Sequence, residues 1–302
     1  MMNNKELKQT MKQKTKLLLT GATGFINSRL QRYYEDKYEI VGLTRKDADI
    51  TDFKKIERIL KKENPDIILH GAAIAATDTC EENPDLAYRV NTKSAVHIGR
   101  IAAEIGAKLV FYSTEQVFNG NQKTGPYTEE DNPVPNTTYG KTKLKAEEKL
   151  REVIDELWIL RFNWVYGAYE RKMPMGSNIF SQVFNAILRN EGIKAAVNEY
   201  RGMTYVYDLI ENIEEVFKLP YGAYHFGSEN ELSRYETTKL IFEELQMPEE
   251  KTERILIPDY EKYSANKPRD LRLDCSKVKR QGIDFPKTRI GVENFINEYN
   301  FK

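Results

Sequence analysis

Residues 108–143 read KLVFYSTEQVFNGNQKTGPYTEEDNPVPNTTYGKTK, and the fold is decided there. An apolar strand through Leu109, Val110 and Phe111 ends on two hydroxyls, Ser113 and Thr114. A polar, turn-rich loop follows. A helix is expected from near Asn136, read as its N-cap, onward through LKAEEKLREVI. Tyr139 and Lys143 lie four residues apart in its first turns and therefore share one face.

The flanking sequence repeats this alternation. Lys16 to Thr20 (KLLLT) is a short apolar strand that runs into GATGF and a helix. Tyr38 to Leu43 (YEIVGL) is a second strand, and Pro65 to His70 (PDIILH) a third. Between them Thr51 is read as the cap of a helix in which Phe53, Ile56, Ile59 and Leu60 recur at helical spacing. A long helical segment runs from about Pro84 to Ala107, and Leu157 to Phe162 (LWILRF) is a further strand. Strands that are apolar throughout and alternate with helices predict an α/β fold. Its core is a Rossmann-type, doubly wound parallel sheet covered on both faces.

After Tyr166 the pattern loosens. Helices are expected over Ile179–Leu188, Asp208–Leu219, Ser233–Leu245 and Val292–Tyr299, with short strands at Thr204–Tyr207 and Ala223–Phe226. The expected division assigns 15–165 and about 203–227 to a dinucleotide-binding domain. It assigns about 166–202 and 228–302 to a smaller substrate lobe, and 1–14 to a mobile polar leader.

Composition narrows the class. The 302 residues carry no net formal charge, and Lys and Arg form no stripe, which argues against a nucleic-acid partner. No apolar run approaches the roughly 20 residues that cross a bilayer. The leader lacks the apolar core of a secretory signal. Two cysteines, Cys80 and Cys275, far apart and without metal spacing, predict reduced thiols, a cytoplasmic location and no metal site.

Gly21-Ala-Thr-Gly24 sits after a strand and before a helix. That context lets a backbone approach a pyrophosphate at a helix N-terminus. An ordinary strand–helix turn is the alternative. Asn27 stands where a third glycine is usual; it either bonds a phosphate or shifts the first helix. Thr44, Arg45 and Lys46 end the second strand, and two cations there suit a 2′-phosphate, so NADPH is expected over NADH. A solvated basic turn is the competing reading, and Asp49 is an alternative contact to the adenine edge. His70-Gly-Ala-Ala73 offers small-residue backbone to lie under a cofactor, or simply a tight turn.

Tyr-x-x-x-Lys occurs four times, at Tyr33/Lys37, Tyr139/Lys143, Tyr235/Lys239 and Tyr263/Lys267, so spacing alone proves nothing. Only Tyr139/Lys143 follows a strand-end hydroxyl in the parallel-sheet region. Ligands of such sheets bind beyond the carboxyl ends of the strands. A phenol of pKa about 10 is a poor acid–base group at neutral pH. The expectation is that the Lys143 cation lowers it, with Thr114 polarising a substrate carbonyl.

With TGATGF, DITD, the His70–Ala73 turn, Val90-Asn91, YSTEQVFNG, PNTTYGKTK, RFNWVYG and KPRDLRLDCSKV in place, the chain resembles the extended short-chain dehydrogenase/reductase family. Within it, it is most similar to the dTDP-4-dehydrorhamnose reductases. The resemblance implies NADPH-dependent reduction of the 4-keto group of a nucleotide-linked deoxysugar. It implies a catalytic Thr114–Tyr139–Lys143 triad and a cofactor bed of Gly21, Thr23, Gly24, Phe25, Ile26, Arg45, Asp49, Ile50, Ala72 and Ala73. Asn91 would brace the site, and Tyr139 and Lys143 would also touch the cofactor. Glu115, Gln116 and Trp164 would face the sugar. The chain departs from the family at two places. Glu115-Gln116 replaces the usual Asp-Tyr, and Asn27 replaces glycine. Two other readings stay open: an epimerase or dehydratase of the same fold, and a cofactor-binding regulatory subunit like the one that partners methionine adenosyltransferase. A homodimer also stays open.

Overall fold

A computed structural model describes residues 14–176 and 178–299. The expected leader, save Lys14, lies outside the described residues. The first half runs β1 (Lys16–Thr20), α1 (Phe25–Tyr34), β2 (Glu39–Leu43), α2 (Phe53–Glu63) and β3 (Ile67–His70). Then come α3 (Thr77–Glu82), α4 (Pro84–Tyr88), a π turn (Arg89–Lys93) and α5 (Ser94–Ile105). β4 (Lys108–Thr114), a 3-10 turn (Glu115–Phe118), α6 (Thr138–Arg151) and β5 (Leu157–Phe162) complete it.

The second half holds β6 (Trp164–Tyr166), α7 (Ile179–Arg189), β7 (Ile193–Ala196), β8 (Glu199–Tyr200) and β9 (Met203–Tyr205). It continues with α8 (Val206–Asn212), β10 (Gly222–His225), α9 (Arg234–Glu244), α10 (Glu249–Ile255) and β11 (Leu256–Asp259). β12 (Arg269–Asp270), α11 (Ser276–Lys279) and α12 (Thr288–Glu298) end it. The short pairs β7–β11, β8–β12 and β6–β9 are parallel two-stranded ribbons. Of these, β6, β7, β8, β11 and β12 had no sequence signal, because strands of two to four residues carry too little period-2 pattern.

Six parallel strands form the central sheet in the order β10-β5-β4-β3-β1-β2. Side chains alternate across it. Leu17 and Leu19 of β1 join Val110, Tyr112 and the α1 residues Leu30 and Tyr34 on one face. Leu18 joins Ile68, Leu109 and Phe111 under α2, α5 and α6 on the other. Both faces are therefore dry, which explains why the middles of the strands are apolar on both sides and do not alternate with polar residues. From β1 the chain steps outward to β2 and then crosses back to β3. The carboxyl ends of β1 and β3 flank the point where strand order reverses, the place where such sheets bind ligands.

Two expected caps move by one residue. Thr137, not Asn136, caps α6, its hydroxyl accepting from the Gly140 N–H at 3.2 Å. Asp52, not Thr51, caps α2 through the Lys55 N–H. Thr51 instead donates its hydroxyl to Asp49. Adjacent residues able to cap are indistinguishable until the chain's entry angle is known.

The Asn27 side chain braces the sheet. It is buried, donates to the Thr20 carbonyl at 2.9 Å and accepts from the Tyr112 hydroxyl at 3.0 Å. A methyl group on Gly71 would lie 2.8 Å from its Nδ2, so glycine at 71 makes room for it. Asn27→Ala strands the Tyr112 hydroxyl in a dry core. The expected cost is about 1–3 kcal/mol of stability, read from urea unfolding. An unchanged midpoint would remove the bracing role.

Candidate active site

The site grows from the contact between the end of β4 and the start of α6. Thr114 ends β4 and caps the 3-10 turn, its Oγ1 accepting from the Gln116 N–H at 3.2 Å. α6 then lands on this turn. A methyl group on Gly140 would lie 2.5 Å from the Gln116 carbonyl oxygen, a backbone atom that cannot yield. Glycine beside the tyrosine is therefore what lets the first turn of α6 lie against the strand end. From α3, Glu81 anchors the same turn, accepting from the Thr138 N–H at 2.7 Å and its hydroxyl at 2.6 Å.

This brings Thr114, Tyr139 and Lys143 together. Tyr139 is half-buried, close enough to Thr114 for that hydroxyl to act on the phenol. Burial pushes the phenol up to about 12, against the lowering effect of Thr114. The expected direction is thereby corrected: desolvation outweighs any stabilisation of phenolate. Lys143 is buried with its Nζ 3.9 Å from the centre of the Phe111 ring. Burial brings its ammonium down to about 7, opposed by the Glu147 carboxylate. Burial thus favours the neutral form of both groups.

The dinucleotide side lies at the switch point. Gly21 has φ +69°, and a methyl group on it would lie 2.9 Å from the Ala72 nitrogen, so only glycine fits between β1 and β3 here. Gly24 precedes α1, and no side chain caps that helix. Its leading N–H groups at Phe25 and Ile26, with the positive dipole end, face the turn that contains Thr23. Ala72 is tied to β1 by its N–H donating to the Thr20 hydroxyl at 3.2 Å. Asn91, on the π turn, accepts from the Ile74 N–H at 2.8 Å and donates to the Ile74 carbonyl at 3.0 Å and the Thr142 hydroxyl at 3.1 Å. It thus fixes the backbone beyond Ala73 against α6.

At the end of β2, Arg45 and Lys46 are exposed on a turn closed by Asp47. Asp49 accepts from the Thr51 N–H and hydroxyl, which with Arg89 and Arg45 hold it below the usual carboxylate range. Ile50 is half-buried beside it. A glycine cradle, an uncapped helix end and free cations at the edge fit a dinucleotide phosphate.

The third side is a wall of arginines that sequence reasoning missed. Glu115 is buried and ion-paired with Arg201, while its Oε2 has no partner. Gln116 donates to Glu115 at 3.4 Å and accepts from Arg269 at 3.0 Å. Trp164, half-buried, carries the guanidinium groups of Arg201 and Arg234 on its ring at 4.9 and 4.5 Å. The Nε atoms of Arg201 and Arg234 are buried without a hydrogen-bond partner, an arrangement receptive to an anion. Only Arg269 had a signal, inside KPRDLRLD. Arg201 and Arg234 come from unrelated segments with no local pattern.

A parallel sheet carrying such groups at its carboxyl edge places the protein in a class: the NAD(P)-dependent oxidoreductases of the extended short-chain dehydrogenase/reductase type. More closely, the chain belongs to the RmlD substrate-binding domain family, whose model matches residues 15–301. It is 34% identical over 231 residues to the spore coat polysaccharide biosynthesis protein SpsK of Bacillus subtilis (strain 168), covering 76% of this chain and 79% of that protein. It is 26% identical over 297 residues to methionine adenosyltransferase 2 subunit beta of Rattus norvegicus, covering 93% of this chain and 87% of that one. The crystal structure of dTDP-4-dehydrorhamnose reductase from Bacillus anthracis, in complex with NADP, superposes with a TM-score of 0.83 at 29% identity. It covers 94% of this chain and 98% of that one.

Arg201→Met removes the ion-pair partner of Glu115 in a dry wall, where burial already raises its carboxyl and Gln116 and Arg269 are the groups left to oppose that. The expected loss is about 3–5 kcal/mol in urea unfolding, most of it regained in Arg201→Met/Glu115→Gln. A single variant as stable as wild type would show that the pair is not needed to keep Glu115 buried.

Proposed function

We propose that the protein reduces the 4-keto group of a nucleotide-linked deoxysugar with NADPH. The observation that carries this reading is the convergence of Thr114, Tyr139 and Lys143 beside the glycine cradle. The NADP complex of the structurally similar reductase and the match to its family support it. When bound, the nicotinamide supplies hydride. The residues of this chain do the rest. The Thr114 hydroxyl donates to the carbonyl oxygen and draws charge onto it. Tyr139, kept protonated by burial, hands its proton to the alkoxide, a far stronger base than phenolate. Lys143 holds the nicotinamide ribose and offers positive charge to the phenolate left behind.

Asn91 keeps the bed under the cofactor in register with α6. Gly21, Thr23, Gly24, Phe25, Ile26, Ala72 and Ala73 form that bed, and Asp49 and Ile50 border its adenosine end. Arg45, with Lys46, selects NADPH over NADH through the 2′-phosphate. Trp164, Glu115 and Gln116 line the sugar side, and the arginine wall meets the nucleotide's phosphates. The same reading assigns 15–165 and about 203–227 to the cofactor and the remaining segments to the substrate. Two buried thiols suit the reducing cytoplasm. Among the described residues no helix is long and apolar enough to cross a membrane.

A second reading is favoured by the relative that is a methionine adenosyltransferase subunit. In that case the chain binds the cofactor and regulates a partner without turnover. Mixing the protein with NADPH and a panel of nucleotide 4-keto sugars, while following nicotinamide absorbance, separates the two. Net oxidation of NADPH is expected; cofactor binding without turnover would favour the regulatory reading. An epimerase or dehydratase would convert sugar without consuming cofactor.

Tyr139→Phe is expected to lower kcat by about 100-fold or more while sparing NADPH affinity in a fluorescence titration. Full activity would overturn the acid assignment. Arg45→Ala is expected to weaken NADPH about tenfold and NADH hardly at all, a loss of one surface charge-assisted contact. Equal weakening of both would remove the phosphate argument.

A further inference from the structure

Glu147 lies one turn beyond Lys143 on α6, so the two neighbour each other on one helix face. The reaction above does not use it, yet it is among the best-sequestered carboxylates of the chain, fully buried. Arg161 of β5 grips both of its oxygens, Nε to Oε1 at 3.1 Å and Nη2 to Oε2 at 2.7 Å. The Ser113 hydroxyl, beside the catalytic threonine, donates to Oε1. Arg151 approaches Oε2 at 3.5 Å from the surface. Burial alone would raise the Glu147 carboxyl, but Arg161 and Ser113 hold it below the usual range, so the group is an anion.

The surroundings of Lys143 are otherwise poor in negative charge. β4 presents the Phe111 ring. β3 presents His70, which burial brings down to about 3 and so keeps neutral, its Nδ1 on the Thr20 hydroxyl at 2.6 Å. α6 itself presents the protonated Tyr139. β5 presents Arg161, and behind it His225, also neutral, with its Nε2 3.4 Å from Arg161 Nη1. Glu115 acts on Tyr139 but is paired with Arg201. Glu147 is the carboxylate that acts on the Lys143 ammonium.

We propose that the Glu147–Arg161 pair is a positioning device: Glu147 keeps Lys143 charged in a pocket dry enough to neutralise it, and Arg161 keeps Glu147 ionised. Glu147 is thus a positioning residue, acting through Lys143. The inference rests on the role given to Lys143 above. Burial costs the lysine its charge, and one buried anion a helical turn away offsets that cost.

The test reads Lys143 directly in the ligand-free protein. Carbon-13-labelled lysine gives its titration by NMR, the resonance identified by its loss in Lys143→Arg. Glu147→Gln is expected to move the Lys143 midpoint to lower pH, and Glu147→Asp to keep it near wild type. Glu147→Gln leaves Arg161 unpaired and risks the fold. Glu147→Gln/Arg161→Met removes both charges and is expected to fold and to move the midpoint in the same direction by a smaller amount, because the Arg161 cation is lost with the anion.

In turnover, the alkaline limb of kcat/KM moves to lower pH, so activity at pH 8 falls about tenfold more than at pH 6. A uniform loss at all pH values, with Lys143 titrating as in wild type, overturns the proposal and leaves the pair a structural clamp. A displaced Lys143 midpoint in a protein that reduces no 4-keto sugar supports the proposal and sinks the reductase reading instead.

Discussion

Everything at this site follows from how closely α6 is allowed to approach the end of β4. The gap is closed by a missing side chain: the Gly140 backbone lies where a methyl group would sit 2.5 Å from the Gln116 carbonyl. That contact cannot be relaxed by a rotamer, because its partner is backbone. With Thr137 capping the helix and Glu81 holding Thr138, the first turn of α6 has one position, and Tyr139 has one place to go. Proximity of Thr114, Tyr139 and Lys143 is thus decided by packing before any electrostatics enter.

The second constraint is dryness. The same burial pushes the Tyr139 phenol up and brings the Lys143 ammonium down, so both groups favour their neutral forms. For a phenol proposed as proton donor this is useful: it keeps its proton until a stronger base is made beside it. For a lysine proposed to stabilise phenolate it is a handicap. Buried carboxylates held by arginine recur on both sides of the site, Glu147 with Arg161 and Glu115 with Arg201. Pairs of this kind add little net stability over apolar packing, but they are costly to break. Their presence next to Thr114 ties the strand end to β5 on one side and to the substrate wall on the other.

The departures from the family pattern read differently once packed. Asn27 does the structural work of a third glycine from the opposite direction. It fills the gap with a side chain that bonds Thr20 and Tyr112, and Gly71 gives way instead. Glu115 and Gln116 are engaged by Arg201 and Arg269, so the pair is built into a wall where the Nε donors of Arg201 and Arg234 are left over.

The chain's local order was legible without a structure. KLLLT, IILH, KLVFYST and LWILRF are strands because their central residues are apolar on both faces. Gly21 and Gly24 fall between strand and helix, and Tyr139 and Lys143 share a face by helical arithmetic. These are short-range consequences of period and sterics. Local pattern missed the caps by one residue, since Asn136 and Thr137, or Thr51 and Asp52, are equally able to accept. Folding alone decided the rest. Arg201 and Glu115 are 86 positions apart, and nothing in either neighbourhood announces the other. The direction of the Tyr139 shift depends on how much water the folded chain excludes, a property that belongs to no segment by itself.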